Sequence, residues 1–188
     1  MSRSAPAGGL AAPVFQVVLH EPEIPNNTGN IGRTCIATGC GLHLIRPLGF
    51  DTGEKACRRA GLDYWPRLGV REHDSWGSLL GTGVDPARVW CFSTRRGRPV
   101  FDAGFQRGDW LVFGKETGGL PGEILDAAGD RSLLLPMVAG ERSLNLATAV
   151  CAAVYEGIRQ LVARGALAID GSGRIVEPAA RYTGPAEP

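Results

Sequence analysis

Short apolar runs that alternate with longer stretches of helical spacing constrain this chain more than any other feature. Residues 14–19, 42–45, 89–92, 110–113 and 133–135 are such runs, each bounded by turn residues or a change of period, and read as strands. Runs this apolar predict a sheet covered on both faces. The intervening residues 28–38, 54–60, 75–80 and 121–128 read as short helices. Strands alternating with helices predict an α/β fold, a mostly parallel sheet flanked by helices. A last helix is the clearest element, because Leu144, Ala147, Cys151, Val154, Ile158 and Leu161 recur at three- and four-residue steps. That stripe either packs on the domain's own sheet or contributes to a homodimer face.

A chain of 188 residues with 44% hydrophobic content can bury one core, so a single domain is expected over 14–164, between tails at 1–13 and 165–188. The first tail lacks the apolar stretch of a signal peptide. No run reaches the roughly 18 apolar residues of a membrane span. Twenty Lys+Arg against 19 Asp+Glu leave a charge of +1, so any RNA contact must use local patches. Five cysteines without a CxxC pair suit neither a disulfide framework nor a zinc site, which predicts reduced thiols in a cytoplasmic protein without a metal.

Standard nucleotide signatures fail: no strand leads into G-x-G-x-x-G, Gly114-Lys115 lacks the rest of a P-loop, and no G-x-S-x-G occurs. Polar density gathers instead at three places. After the first strand run comes Glu21-Pro22-Glu23-Ile24-Pro25-Asn26-Asn27-Thr28-Gly29-Asn30-Ile31, followed by Arg33. Its prolines preclude an immediate helix, Asn27 or Thr28 can cap the helix that follows, and the donors near one guanidinium suit a phosphate or ribose. A plain cap with a solvated arginine is the alternative. Gly114-Lys115-Glu116-Thr117-Gly118-Gly119-Leu120-Pro121 ends another strand in a glycine-rich turn, at the carboxyl end where open α/β sheets bind ligands. An ordinary turn with Pro121 at the first helical position reads equally well. The third place runs from Pro136-Met137 to Arg142-Ser143-Leu144-Asn145-Leu146. Ser143 is a good helix N-cap, which puts Asn145 in the first turn beside free backbone N–H groups.

These three segments, in this order and spacing, resemble the three motifs of the SPOUT methyltransferases. The likeness covers roughly residues 14–162 and includes Arg58-Arg59-Ala60-Gly61-Leu62-Asp63-Tyr64. It points to the small TrmL-like branch, which 2′-O-methylates the wobble cytidine or uridine of tRNA anticodons. The resemblance implies a C-terminal deep trefoil knot, S-adenosylmethionine as methyl donor, tRNA as substrate and a homodimer sharing its active sites. It also implies a cofactor pocket lined by Phe92, Ser93, Thr94, Gly114, Glu116, Leu135, Met137, Ser143 and Asn145.

By the same likeness Asn27, Arg33, Ser143 and Asn145 form the catalytic set, with Arg33 proposed as the base. A guanidinium is a poor base because it holds its proton, so positioning ribose and phosphate is the physically safer role. Arg58, Arg59, Arg95, Arg96 and Arg98 are the cationic residues expected to grip RNA phosphates. The competing expectations are a 2′-O-methyltransferase for another tRNA or rRNA site and a non-catalytic RNA-binding relative. His20, His43 and His73 read as structural.

Overall fold

A computed structural model describes residues 10–52 and 63–179. Seven strands form one wholly parallel sheet: β1 (Gln16–His20), β2 (Gly41–Ile45), β3 (Arg71–His73), β4 (Val89–Phe92), β5 (Arg98–Pro99), β6 (Trp110–Phe113) and β7 (Ser132–Leu134). Their order across the sheet is β3-β2-β1-β6-β4-β7-β5. The chain thus builds outward from β1 through β2 to β3, then returns to β1's other edge. That reversal makes the β1–β6 boundary a topological switch point, where loops following adjacent strands diverge and leave a crevice.

The alternation of side chains along β1 explains how both faces are covered. Val17 and Leu19 join Phe15, Ile31, Leu111 and Val154 in one buried cluster. Val18 points oppositely and joins Ile45, Leu79, Val112 and Ile124 in a second. Helix α1 (Pro25–Thr38) and the last helix, α5 (Leu146–Ala163), cover the first face, packed against each other. Helices α3 (Trp76–Leu80) and α4 (Gly122–Ala128) cover the second, while the single turn α2 (Trp65–Leu68) leans on α1. Ser75 caps α3, its Oγ accepting from Ser78 N–H, as its residue type predicts.

Three expectations are corrected. α1 starts at Pro25 behind an uncapped Ile24, because proline at the first helical position needs no N–H partner and neither Asn27 nor Thr28 serves as cap. α5 is capped by Asn145 rather than Ser143, its Oδ1 accepting from Ala147 and Thr148 N–H. The buried stripe of α5 is accordingly Val150, Ala153, Val154, Gly157, Ile158 and Leu161, leaving Leu144 exposed. The region after 165 is structured as far as it is described: Leu167 is buried, Ala168–Ile169 pairs antiparallel with Ile175–Val176, and Glu177 accepts from Arg107 and from Ala11 N–H. The helix expected at 54–60 lies outside the described residues. By length and apolarity α5 could cross a membrane, but its apolar stripe is spent on the sheet, where Gly157 admits the Phe15 ring.

Asp109 anchors the approach to β6. Its carboxylate, 1% exposed, accepts from Arg88 Nε, from Trp90 Nε1 at 2.8 Å and from Gln106 N–H at 2.7 Å. Asp109→Ala strands all three donors, the Trp90 indole N–H among them fully buried, and is expected to cost about 3 kcal/mol. The check is a lowered urea midpoint with an unchanged denaturant slope.

Candidate active site

The switch point brings together the loop after β1 and the turn after β6. The turn doubles back so tightly that a Cβ on Gly114 would stand 2.0 Å from the Gly119 carbonyl carbon and 2.2 Å from Leu120 N. Only glycine fits there. Gly119 N–H closes the turn on the Lys115 carbonyl at 2.9 Å. Two carboxylates from the facing loop hold it from outside. Lys115 Nζ donates to Glu21 Oε2 at 2.8 Å, which draws the Glu21 pKa down. Thr117 donates its backbone N–H to Glu23 Oε2 at 3.1 Å and its hydroxyl to Glu23 Oε1 at 2.9 Å.

A directed hydrogen-bond relay joins all three polar segments. Glu116 accepts Glu23 N–H on Oε2 and Asn27 Nδ2 on Oε1, both at 2.9 Å. Asn27 Oδ1 in turn accepts from Asn145 Nδ2 at 2.9 Å. Asn145 Oδ1 caps α5. Both ends fix the polarity: an ionised carboxylate only accepts, the helix amides only donate, so each asparagine between them has one permitted amide orientation.

Around this relay lies a cavity of about 1060 Å³ at the carboxyl ends of β4, β6 and β7. Phe92, Ser93 and Thr94 after β4, with Gly114 and Glu116 after β6, line one side. Leu135, Met137, Ser143 and Asn145 from the connection between β7 and α5 line the other, and Asn27 projects from α1. The structure therefore collects the nine pocket residues expected from sequence into one cavity, Ser143 and Asn145 of the expected catalytic set among them, and adds Asn27 from that set. Phe113 stacks on Phe92 with centroids 4.4 Å apart, a residue sequence reasoning left in the core although its place as the last residue of the β6 run was the available signal. Ile24 and Arg142 also line the cavity without having been anticipated. Apolar rings beside small residues, backbone amides and a carboxylate suit an aromatic base carrying a polar, cationic tail.

Arg33 stands apart. It is exposed, does not line the cavity of its own chain, and rests with its guanidinium 5.3 Å from the Tyr64 ring centre. Arg95 and Arg96 border the cavity, but Arg96 is engaged with Asp126 Oδ1 at 2.7 Å and the Gly122 carbonyl. Arg98 lies over Trp90, 5.6 Å from its ring centre, and Arg58 and Arg59 are outside the described residues. The histidines take structural places. His43 bonds His73 at 2.9 Å and Gln16 at 3.0 Å, and burial pushes its pKa down to about 3. Burial also lowers the pKa of His20.

A parallel sheet whose switch-point cavity combines a glycine turn, stacked phenylalanines and a carboxylate–amide relay defines an α/β protein built to hold a nucleoside-like ligand. The chain belongs to the SpoU rRNA Methylase family, whose profile matches residues 14–155. A tRNA (cytidine(34)-2′-O)-methyltransferase of Saccharophagus degradans is 48% identical over 149 residues, covering 79% of this chain and 96% of the relative. A solved structure described as giving insights into 2-OH methylation of C/U34 on tRNA superposes with a TM-score of 0.72 at 47% identity, covering 80% of this chain and 97% of the other. The SpoU methyltransferase AviRb from Streptomyces viridochromogenes, solved with AdoMet, gives a TM-score of 0.68 at 26% identity, covering 80% of this chain and 59% of that one. SpoU methyltransferases use S-adenosylmethionine.

Proposed function

We propose that this protein transfers the methyl group of S-adenosylmethionine to the ribose 2′-hydroxyl of the wobble nucleotide, cytidine or modified uridine, in tRNA anticodons. The observation that carries this reading is the Glu116–Asn27–Asn145 relay, which ties all three family segments to one cavity. The likeness to a cytidine(34) enzyme over nearly its whole length supports the substrate.

The residues present fit the cofactor, since the Phe92–Phe113 stack, the turn folded tightly at Gly114 and the Glu116 carboxylate border one cavity. When bound, S-adenosylmethionine would supply an electrophilic methyl for in-line attack by a ribose 2′-oxygen, the C–S bond breaking as the O–C bond forms and S-adenosylhomocysteine leaving as a neutral thioether. Phe92, Ser93, Thr94, Gly114, Glu116, Leu135 and Met137 would hold it. Asn27 and Asn145, locked in orientation by the relay, present fixed dipoles to whatever occupies the cavity. Ser143 Oγ makes no hydrogen bond among the described residues, so it is available to the ribose. Arg33 stays cationic and positions ribose and phosphate, while the 2′-proton passes to phosphate or water.

Because Arg33 does not line its own chain's cavity, the reading includes a homodimer in which the partner's Arg33 completes the site. Exposed Ile24 and Leu144 at the cavity border, with exposed Tyr155 on α5, support such a face. The C-terminal trefoil knot, cytoplasmic location and RNA contacts at Arg58, Arg59, Arg95, Arg96 and Arg98 belong to the same reading and follow from family likeness. Arg95 supports the last most directly, since its guanidinium has no partner among the described residues.

Purified protein given methyl-labelled S-adenosylmethionine and unmodified tRNA is expected to label nucleotide 34 on the ribose. Label at another nucleotide would replace the substrate assignment but keep the chemistry. Absence of label from every RNA fraction would sink the enzymatic reading.

A further inference from the structure

Glu23 does not line the cavity, yet it makes more connections between the facing loops than any residue that does. Its backbone N–H donates to Glu116 Oε2 at 2.9 Å, while its carboxylate accepts both donors of Thr117 at 3.1 and 2.9 Å. Bonds therefore run in both directions between residues 93 and 94 positions apart. The turn they grip holds Gly114, Gly118 and Gly119 within six residues, so its own sequence does little to keep it in one shape. Its inner edge borders the cavity from Gly114 to Leu120.

We infer that Glu23 is a positioning residue for cofactor capture: its two-way clasp with Glu116 and Thr117 holds the glycine turn closed against the cavity and orients the carboxylate that heads the relay. The inference rests on the methyl-transfer reading for the identity of the ligand. Glu116 spends one oxygen on Glu23 N–H, which leaves the other aimed at Asn27. Loss of the Glu23 carboxylate frees Thr117 and lets the turn swing away from the cavity. Ground-state cofactor binding then weakens, while chemistry in the filled site and the tRNA-binding surface are left nearly as they were. A KM effect on one substrate is the signature of lost binding rather than lost transition-state stabilisation.

The test measures S-adenosylmethionine affinity by calorimetry, both substrates' KM values and kcat, and amide exchange over residues 115–119, in Glu23→Ala, Glu23→Gln and Thr117→Val. Glu23→Ala is expected to raise the cofactor Kd and KM about tenfold, the effect of losing one charge-assisted bond pair. Its tRNA KM is expected within about twofold of wild type, with faster exchange confined to the turn. Glu23→Gln keeps an acceptor and should recover part of the loss, and Thr117→Val should cause a smaller one. The double variant Glu23→Ala/Thr117→Val should bind no more weakly than Glu23→Ala alone, because the two residues share one interaction.

Unchanged cofactor affinity in Glu23→Ala would overturn the inference. So would equal losses in both KM values and kcat with a lowered melting temperature, which would mark a general structural role. Calorimetry reads cofactor binding whether or not tRNA is the methyl acceptor, so a wrong acceptor and a wrong role for Glu23 give different results.

Discussion

Arg33→Ala is expected to lose about 10³-fold in methyl transfer to tRNA while binding S-adenosylmethionine as tightly as the wild type. The separation follows from placement. Arg33 is exposed on α1, over Tyr64 and outside the lining of its own chain's cavity, so its removal leaves the glycine turn, the stacked phenylalanines and the relay untouched. On the proposed homodimer, what it removes is the cation that the partner chain would bring to the acceptor. Single-turnover methylation with cofactor affinity measured in parallel checks this. A mixed dimer sharpens it: pairing an Arg33→Ala chain with an Asn145→Ala chain should restore about half of one dimer's activity, since one of the two sites then draws Arg33 and Asn145 from intact chains. Full activity in Arg33→Ala would remove the residue from the catalytic set. No recovery in the mixed dimer would place Arg33 in the service of its own chain.

Gly114→Ala is expected to weaken cofactor binding at least about 100-fold, because the added methyl meets backbone rather than a side chain that can turn aside. Its Cβ would stand 2.0 Å from the Gly119 carbonyl carbon and 2.4 Å from that carbonyl's oxygen, so the turn must open. Opening carries Glu116 away from Asn27, and the relay loses its acceptor end. Gly122→Ala is the matched control, since it too borders the cavity but a Cβ there meets nothing within 4 Å. Calorimetric titration of both variants is the measurement. Near-wild-type affinity in Gly114→Ala would mean that the turn does not shape the pocket.

The sheet was readable wherever strands are buried on both faces. The runs at 89–92 and 110–113 coincide with β4 and β6, because a fully covered strand advertises itself as unbroken apolar sequence. β3 escaped, since Arg71, Glu72 and His73 form an edge strand with two exposed side chains. β5 escaped because two residues, Arg98 and Pro99, carry no period. Cap reasoning failed at α1 for a different cause. Asn27 has the right chemistry for a cap, but its amide is claimed by Glu116 and Asn145 from distant parts of the chain. Arg96 and Arg98 stand in one cationic run in the sequence, which gives no sign that the fold pairs the first with Asp126 and lays the second over Trp90. The pocket residues were legible through family likeness, whereas the clasp at Glu23 and the direction of the relay exist only where loops separated by some 90 residues meet.

The relay also has a timetable. Glu116 waits for nothing, since Asn27 precedes it by 89 residues, but the link from Asn27 to Asn145 spans 118. On the ribosome, where chains fold as they emerge, the first two segments can meet long before the third is made. Until α5 leaves the exit tunnel and docks on α1, the asparagine pair has no partner, the cavity lacks a wall and the α5 cap does not exist. An unfinished chain therefore lacks the assembled cavity and, on the proposed function, a way to modify the tRNAs crowded around the ribosome that is making it. Activity is expected only after the third segment has emerged, and a product cut short anywhere before Asn145 is expected to be inert.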